Sequence, residues 1–182
     1  MEKFTLERSD ALLLVIDIQE RLVAAMKYGD QMIENTKVLV EVAKVMDFPT
    51  VVTEQYPKGI GPTVPELASL LDKNMFFEKV TFTGCTEDVV AAIKKLGRKK
   101  VIITGTETHV CVLQTTRDLL KLGYEVFIVR DAVCSRSKTN YKAGLELLAN
   151  MGAVITTTEV VVFDLLKQSA TPEFKQISKL IK

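Results

Sequence analysis

Three polar residues that could support covalent chemistry follow apolar, strand-like runs of the sequence. Asp17 ends the run LLLVID, Lys79 lies near the end of MFFEKV, and Cys111 lies between the run KVIITG and a helix-like segment. A thiol attacks as a thiolate, so its ordinary pKa of about 8.5 must be lowered. A helix N-terminus and the Lys79 ammonium would both favour the thiolate, and the Asp17 carboxylate could carry the proton. Together they predict a nucleophile, a base and an electrostatic partner without a histidine.

Each of these residues also has a purely structural explanation. An Asp after a strand often caps the following loop, a Lys near a strand end is usually a solvated charge, and a Cys is often a small buried hydrophobe. His109, the only histidine, lies two residues before Cys111. We assign it no catalytic role because Asp17 is available as the base. Cys85 and Cys134 are expected to be plain thiols in or near loops.

An alternation of strand-like and helix-like segments would position these residues. The first run, ALLLVID, is continuously apolar, as expected of a strand buried on both faces. Predicted strands cover residues 11–17, 50–54, 75–80, 100–105, 125–130 and 153–157. This pattern predicts an α/β fold, a three-layer α/β/α sandwich with a parallel sheet, in a single domain over residues 1–182. Ligands bind such sheets beyond the carboxyl ends of the strands, where the polar candidates lie.

Composition narrows the functional classes. The net charge of +1 gives no electrostatic footprint for nucleic acid, and no apolar run approaches the roughly 18 residues of a membrane span. The beginning of the sequence lacks the apolar region of a signal peptide. Three cysteines without CxxC spacing indicate reduced thiols, and a single histidine excludes a His-rich metal site. We therefore expect a cytoplasmic protein that binds a small-molecule substrate, with no nucleic-acid or membrane partner.

Three motifs carry a resemblance to a known family. LLLVIDIQ, FEKVTF and VIITGTETHVCV resemble, in order and spacing, the signatures of the isochorismatase-like cysteine hydrolase superfamily. The similarity covers about residues 10–165, and VTEQYPKGIGPTVPEL at 52–67 is similar to the isochorismatase domain-containing branch. The resemblance implies a six-stranded parallel sheet in the order 3-2-1-4-5-6 and a homo-oligomer. It also implies that Cys111 is the nucleophile, Asp17 the general acid and base, and Lys79 the cation that favours the thiolate.

The resemblance further implies a particular backbone geometry beside the cysteine. A cis peptide bond is expected between Thr106 and Glu107, and the amides of Glu107 and Cys111 would form an oxyanion hole for a tetrahedral intermediate. Three residues beyond the ends of the first two strands could orient a small substrate or could form loop hydrogen bonds, namely Gln19, Gln55 and Tyr56.

The sequence departs from two branches of the superfamily. Nicotinamidases bind a metal through Asp and His residues after strand two, where this chain has TEQYPKGIG without histidine. True isochorismatases lack the nucleophilic cysteine. We therefore expect hydrolysis of a small amide, carbamoyl or ester-like substrate through a thioester, with no metal and no cofactor. The alternatives are a non-catalytic binding or scaffold protein and a redox-active thiol protein.

Overall fold

Six parallel strands form one sheet in the computed structural model, which describes residues 2–181. The strands are Ala11–Ile16 (β1), Thr50–Gln55 (β2), Phe76–Lys79 (β3), Lys100–Thr106 (β4), Glu125–Cys134 (β5) and Val154–Thr156 (β6). Their order is β3-β2-β1-β4-β5-β6, and every neighbouring pair is parallel. The predicted fold class and strand order are therefore confirmed.

Helices connect the strands and cover both faces of the sheet. They are α1 (Glu20–Val23), α2 (Gly29–Val45), α3 (Pro57–Ile60), α4 (Pro65–Ala68), α5 (Glu87–Leu96), α6 (Leu113–Lys121), α7 (Lys138–Asn150), α8 (Thr158–Leu166) and α9 (Pro172–Ile177). A π-helical turn, Thr108–Val112, directly precedes α6. Over residues 2–181, none of the helices has the length and apolar character needed to cross a membrane.

Strand β1 runs through the centre of the sheet and is buried at every position. Successive side chains of a strand point to opposite faces. Leu13 and Val15 accordingly join the cluster packed under α2, α8 and α9, whereas Leu12 and Leu14 join the cluster packed under α5, α6 and α7. Because both faces are covered, the continuous apolar run predicted this strand correctly.

Side-chain caps mark where α5 and α7 begin. The Thr86 hydroxyl accepts a hydrogen bond from the Val89 amide at the start of α5, and Gly97 ends that helix in a left-handed conformation. The Ser137 hydroxyl accepts from the Asn140 amide at the start of α7. These contacts satisfy amide groups that have no acceptor within the helix.

Strand β5 contains a bulge that the sequence did not reveal. Ile103 of β4 pairs with Ile128, but Gly105 pairs with Val133. Residues 129–132 of β5 therefore stand opposite a single residue of β4. An insertion of this kind bends the strand and redirects its side chains.

Strand five continues beyond its predicted end at residue 130, because pairing with β4 resumes after the bulge. Arg130 and Asp131 interrupt the apolar pattern, which is why the prediction stopped at residue 130. The ladder resumes beyond them, and Cys134 is the last residue of the strand and is buried. The expectation that Cys134 lies in or near a loop after strand five is therefore wrong.

Gly105 occupies a position that no other residue fits. Its φ is 122°, and a Cβ atom there would lie 1.9 Å from the Ile16 carbonyl oxygen of the neighbouring strand. Gly97 also has a positive φ, 66°, but a Cβ atom there would meet nothing within 4 Å. Substitutions at these two glycines therefore distinguish the cost of an unfavourable backbone conformation from the cost of steric overlap.

We expect Gly105→Ala to lower the free energy of unfolding by more than about 4 kcal/mol, because the added methyl group overlaps the backbone of β1. Gly97→Ala is the matched control and should cost only about 1–2 kcal/mol, since only its left-handed conformation is unfavourable. Urea denaturation of both variants measures the difference. Equal losses would show that β1 and β4 are not packed this closely.

Candidate active site

The carboxyl ends of β1, β3 and β4 bring the three predicted catalytic residues to one edge of the sheet. Asp17 directly follows β1, Lys79 is the last residue of β3, and Cys111 lies in the π-helical turn after β4. Strand β2 lies between β3 and β1, and its last residue, Gln55, pairs in register with Lys79. The parallel topology therefore places side chains from distant parts of the sequence together.

Asp17 and Lys79 form a buried ion pair. The Lys79 Nζ atom lies 2.6 Å from Asp17 Oδ2, and neither side chain is exposed to solvent. The Thr53 hydroxyl donates a hydrogen bond of 2.7 Å to the second carboxylate oxygen. Burial raises the pKa of Asp17, and the Lys79 charge opposes that shift. The carboxylate is thus held in place from two sides.

The Lys79 ammonium has acceptors in addition to Asp17. It donates to Gln55 Oε1 at 2.7 Å and to the Thr81 carbonyl oxygen at 3.2 Å. An ammonium group has three N–H donors, so these contacts together can satisfy it completely. The lysine is consequently a fixed part of the site, and the interpretation as a solvated surface charge does not hold.

Backbone contacts also fix Asp17. Its φ is 50°, a left-handed conformation that Asp tolerates better than most residues. The Asp17 amide donates to the Thr53 carbonyl oxygen at 3.0 Å, and the Thr106 hydroxyl donates to the Asp17 carbonyl oxygen at 2.7 Å. The carboxylate therefore projects from a residue that both neighbouring strands hold.

Cys111 is buried beside this carboxylate. Its thiol lies close enough to the Asp17 carboxylate, the Lys79 ammonium and the Glu107 amide for all three groups to influence its pKa. Burial and the Asp17 charge raise the pKa of the Cys111 thiol to about 12, with burial the larger cause, and Lys79 only partly opposes them. Lys79 does lower this pKa, as expected, but burial and the Asp17 charge outweigh it. The net direction favours the protonated thiol beside the carboxylate.

The backbone between β4 and the cysteine presents amide groups to the thiol. The peptide bond between Thr106 and Glu107 is cis. The Glu107 carbonyl oxygen accepts from the amides of Val110 and Val112, so the Cys111 amide between them is not bonded to that oxygen. The first turn of a helix leaves N–H groups without helical acceptors. An oxyanion hole formed by the amides of Glu107 and Cys111 stays a prediction.

The Glu107 side chain is anchored away from the thiol. Its carboxylate accepts hydrogen bonds from the Arg136 amide at 3.0 Å and from Arg136 Nε at 3.2 Å. The Glu107 side chain is only 10% exposed. The residue whose amide contacts the thiol is thus fixed by the segment that follows β5.

The three polar residues considered for the substrate pocket have different environments. Gln19 is fully buried and bonds the backbone of the loop after β2, at the Gln55 amide and at the Gln55 and Gly61 carbonyl oxygens. Gln55 uses its own side chain on Lys79 and on the Val80 carbonyl oxygen. Gln19 therefore stabilises the segment after β2, and Gln55 helps to hold Lys79 in place. Tyr56 is 54% exposed, as expected of a residue at the rim.

His109 lies apart from the carboxylate. Its Nδ1 atom is 3.1 Å from the Ser135 hydroxyl, and its side chain is half-buried. Gly144 of α7 packs against the His109 backbone so closely that a Cβ atom there would lie 3.1 Å from His109 Cα. These contacts agree with a residue that packs locally.

The other two cysteines lack a neighbouring carboxylate base of this kind. Burial raises the pKa of Cys85 to about 11, and its thiol donates to the Thr115 carbonyl oxygen at 3.7 Å. Burial also raises the pKa of Cys134. Within residues 2–181, no group of three or more His, Cys, Asp or Glu residues is arranged to hold a metal ion.

Two contributors to the site had no signal in the sequence. Thr53 is an ordinary strand residue that reaches Asp17 because it pairs in register with Ile16. Arg136 lies 29 residues after its partner Glu107. Only the strand register and the course of the chain after β5 reveal these contacts.

Comparison with known proteins gives a consistent family assignment. Residues 11–160 match the protein-family model for the isochorismatase domain. The chain is 41% identical over 167 residues to isochorismatase domain-containing protein 1 of Danio rerio. That match covers 91% of this chain and spans 59% of the length of the zebrafish protein.

Solved structures share the fold over nearly the full chain. One from Caenorhabditis elegans, described as MAR1 ribonuclease, has a TM-score of 0.92 and 40% identity, covering 97% of this chain and 92% of that one. YcaC from Pseudomonas aeruginosa, solved with covalent acrylamide, has a TM-score of 0.89 and 27% identity, covering 97% and 91%. Escherichia coli YcaC, described as an octameric hydrolase of unknown specificity, has a TM-score of 0.89 and 26% identity, covering 97% and 90%.

The buried ion pair can be tested with a double-mutant cycle. Asp17→Asn and Lys79→Met should each lower the free energy of unfolding by about 3–5 kcal/mol, because each leaves a buried group without its partner. The double variant should lose less than the sum, with a coupling of about 2–3 kcal/mol in urea denaturation.

The surface pair Lys37–Glu34, whose Nζ and Oε1 atoms are 3.0 Å apart, is the control for that cycle. Its coupling should stay below about 0.5 kcal/mol, since solvent screens both charges. Additive losses at Asp17 and Lys79 would contradict the description of the pair as buried and mutually dependent.

Proposed function

This chain belongs to the isochorismatase family, and we propose that it hydrolyses a small amide, carbamoyl or ester-like substrate through a thioester on Cys111. The observation that carries the proposal is the position of the buried Cys111 thiol beside the buried Asp17–Lys79 ion pair, both of whose charges act on it. A nucleophile, a proton acceptor and an amide donor from Glu107 converge there. No other cysteine of the described chain has these partners.

The first half of the reaction forms the thioester. Cys111 Sγ attacks the substrate carbonyl carbon while its proton passes to Asp17. The amides of Glu107 and Cys111 stabilise the negative charge on the carbonyl oxygen. Asp17 then returns the proton to the leaving nitrogen or oxygen, and the bond to the leaving group breaks.

The second half releases the acid. Water attacks the thioester carbonyl carbon and gives its proton to Asp17. The tetrahedral intermediate collapses, the C–S bond breaks, and Asp17 returns the proton to the sulfur. Each step moves one proton, so the carboxylate ends the cycle as it began.

In this mechanism Lys79 acts on the carboxylate. Because burial and the Asp17 charge together outweigh Lys79 at the thiol, a resting thiolate is unfavourable. The ammonium instead fixes the orientation of Asp17 and favours its charged form at 2.6 Å. This role is proposed in addition to the one expected from the sequence, since Lys79 also lowers the pKa of the cysteine.

Two solved relatives support the proposed nucleophilic chemistry and the predicted homo-oligomer. A covalent acrylamide adduct in Pseudomonas aeruginosa YcaC is consistent with a reactive side chain in that protein. The octameric Escherichia coli YcaC supports our prediction that this chain is a homo-oligomer. Because the Caenorhabditis elegans relative is described as a ribonuclease, an RNA oligonucleotide belongs among the test substrates.

Acrylamide labelling tests the activation of the cysteine. Near pH 7.5, Cys111 should be alkylated faster than Cys85 and Cys134, because only its proton has a carboxylate acceptor. Asp17→Asn should slow labelling of Cys111 by roughly tenfold or more, within the range of general-base effects. Peptide mass spectrometry measures all three rates in one sample.

The same experiment contains its own control. Cys85 and Cys134 should react at unchanged rates in the Asp17→Asn variant. In that variant the Cys111 rate should rise with pH, since attack then requires the free thiolate, and the midpoint should lie below the native pKa of about 12 because the Asp17 charge that raises it is gone. If Cys111 reacted no faster than Cys85 in the native protein, base activation would be refuted.

An activated ester tests turnover. Mixing the protein with 4-nitrophenyl acetate should release a burst of about one equivalent of nitrophenolate, which corresponds to acylation of one thiol per chain. Cys111→Ala should abolish the burst, whereas Cys85→Ala should retain it. A burst that survives Cys111→Ala would place the nucleophile elsewhere.

A missing burst combined with uniform thiol labelling would favour the binding or scaffold alternative. Rapid peroxide turnover at Cys111 with a recycling thiol would favour the redox alternative.

A further inference from the structure

A second concave site lies beside the strand bulge. A cleft of about 670 Å³ is bordered by the beginning of α2, the bulge of β5 and the beginning of α7. Its volume is within the range of about 300–1,000 Å³ that is typical of small-molecule sites. Asp17, Lys79 and Cys111 are not among its lining residues. The cleft is thus distinct from the site proposed for catalysis.

The cleft has a strong positive charge that the chain as a whole lacks. The sequence has 24 basic and 23 acidic residues. The lining, by contrast, has a single acidic residue, Asp131, against five basic ones: Lys27, Arg130, Arg136, Lys138 and Lys142. The charge is therefore a local feature of this surface.

These cations are available for a ligand. Arg136 pairs with Glu107, but the other four have no carboxylate oxygen within 4.0 Å in the part of the chain described. Asp131 accepts hydrogen bonds from the Thr158 amide at 2.8 Å and from the Thr158 hydroxyl at 3.0 Å, and its single charge leaves the lining with an excess of positive charge. Unpaired cations around a concave surface concentrate positive potential.

Local structure holds this cluster together. The bulge places Arg130 in the cleft lining, and the Tyr141 hydroxyl donates to the Arg130 carbonyl oxygen at 2.6 Å. Lys138 is the first residue of α7, whose N-terminus adds a partial positive charge. Tyr28, 54% exposed, lies at the same cleft, with the Lys27 Nζ atom 5.5 Å from its ring centroid and the opposite face of the ring available. The lining therefore combines several cations with an aromatic side chain.

We propose that this cleft binds an organic phosphate of nucleotide size, which carries two or more negative charges and a planar group. Phosphate oxygens accept charge-assisted hydrogen bonds from Lys and Arg side chains. The planar group packs on the Tyr28 ring. The site lies outside the catalytic mechanism and would function even if the proposed hydrolysis were wrong.

Isothermal titration calorimetry with ADP, adenosine and pyrophosphate tests the proposal. ADP should bind with saturation, adenosine should bind at least about tenfold more weakly, and added salt should weaken ADP binding, because the phosphates supply the charge. The Lys138→Glu/Lys142→Glu double variant should weaken ADP binding by about tenfold or more. Cys111→Ala should leave it unchanged.

Lys175→Glu/Lys179→Glu provides the matched control, with the same charge change and spacing at exposed positions outside the cleft. It should change ADP affinity by less than about twofold, since those charges are distant and screened. The proposal is overturned if neither ADP nor pyrophosphate saturates at millimolar concentration. It is also overturned if single-stranded RNA binds while ADP and pyrophosphate do not, or if the Lys138/Lys142 variant alters subunit assembly and not ADP affinity.

Discussion

A buried ion pair between Asp17 and Lys79, 2.6 Å apart and without solvent exposure, is the constraint on which the rest of the site depends. Moving both charges out of water is costly, so such a pair persists only when its remaining donors and acceptors are satisfied. The Thr53 hydroxyl donates a hydrogen bond to the other carboxylate oxygen of Asp17. Gln55 and a backbone carbonyl oxygen accept the remaining hydrogen bonds of the Lys79 ammonium. Gln19 in turn fixes the loop that carries Gln55. These contacts require the strand order that places β2 between β3 and β1.

The ion pair also determines the state of the nucleophile. Burial and a neighbouring carboxylate favour the protonated form of the thiol. The Lys79 ammonium is bonded to that carboxylate and lowers the pKa of the thiol too little to reverse the shift. The mechanism that we propose therefore depends on proton transfer during attack. Arg136 extends this organisation to the second site, because it holds the Glu107 carboxylate and also lines the basic cleft.

Most of the fold could be predicted from the sequence, because the physical signals are local. Apolar runs and helix caps predicted the strands and helices. The order of the three motifs predicted that Asp17, Lys79 and Cys111 lie at one edge of the sheet. The bulge in β5 was missed because its polar residues resemble the start of a loop. The net direction of the thiol pKa could not be read from the sequence, because burial, which outweighs the lysine, is a property of the packed structure. The basic cleft could not be predicted from the sequence either, since three separate segments of the chain form it.

The most direct measurement of the central claim is an NMR pH titration of the protein with ¹³Cβ-labelled cysteine, with Cys111 assigned through the Cys111→Ala variant. The Cβ chemical shift distinguishes thiol from thiolate without added electrophile. We predict that Cys111 remains a thiol well above neutral pH, because burial and Asp17 raise its pKa to about 12. A midpoint below the ordinary thiol value of about 8.5 would contradict this mechanism and would show that Lys79 activates the cysteine directly.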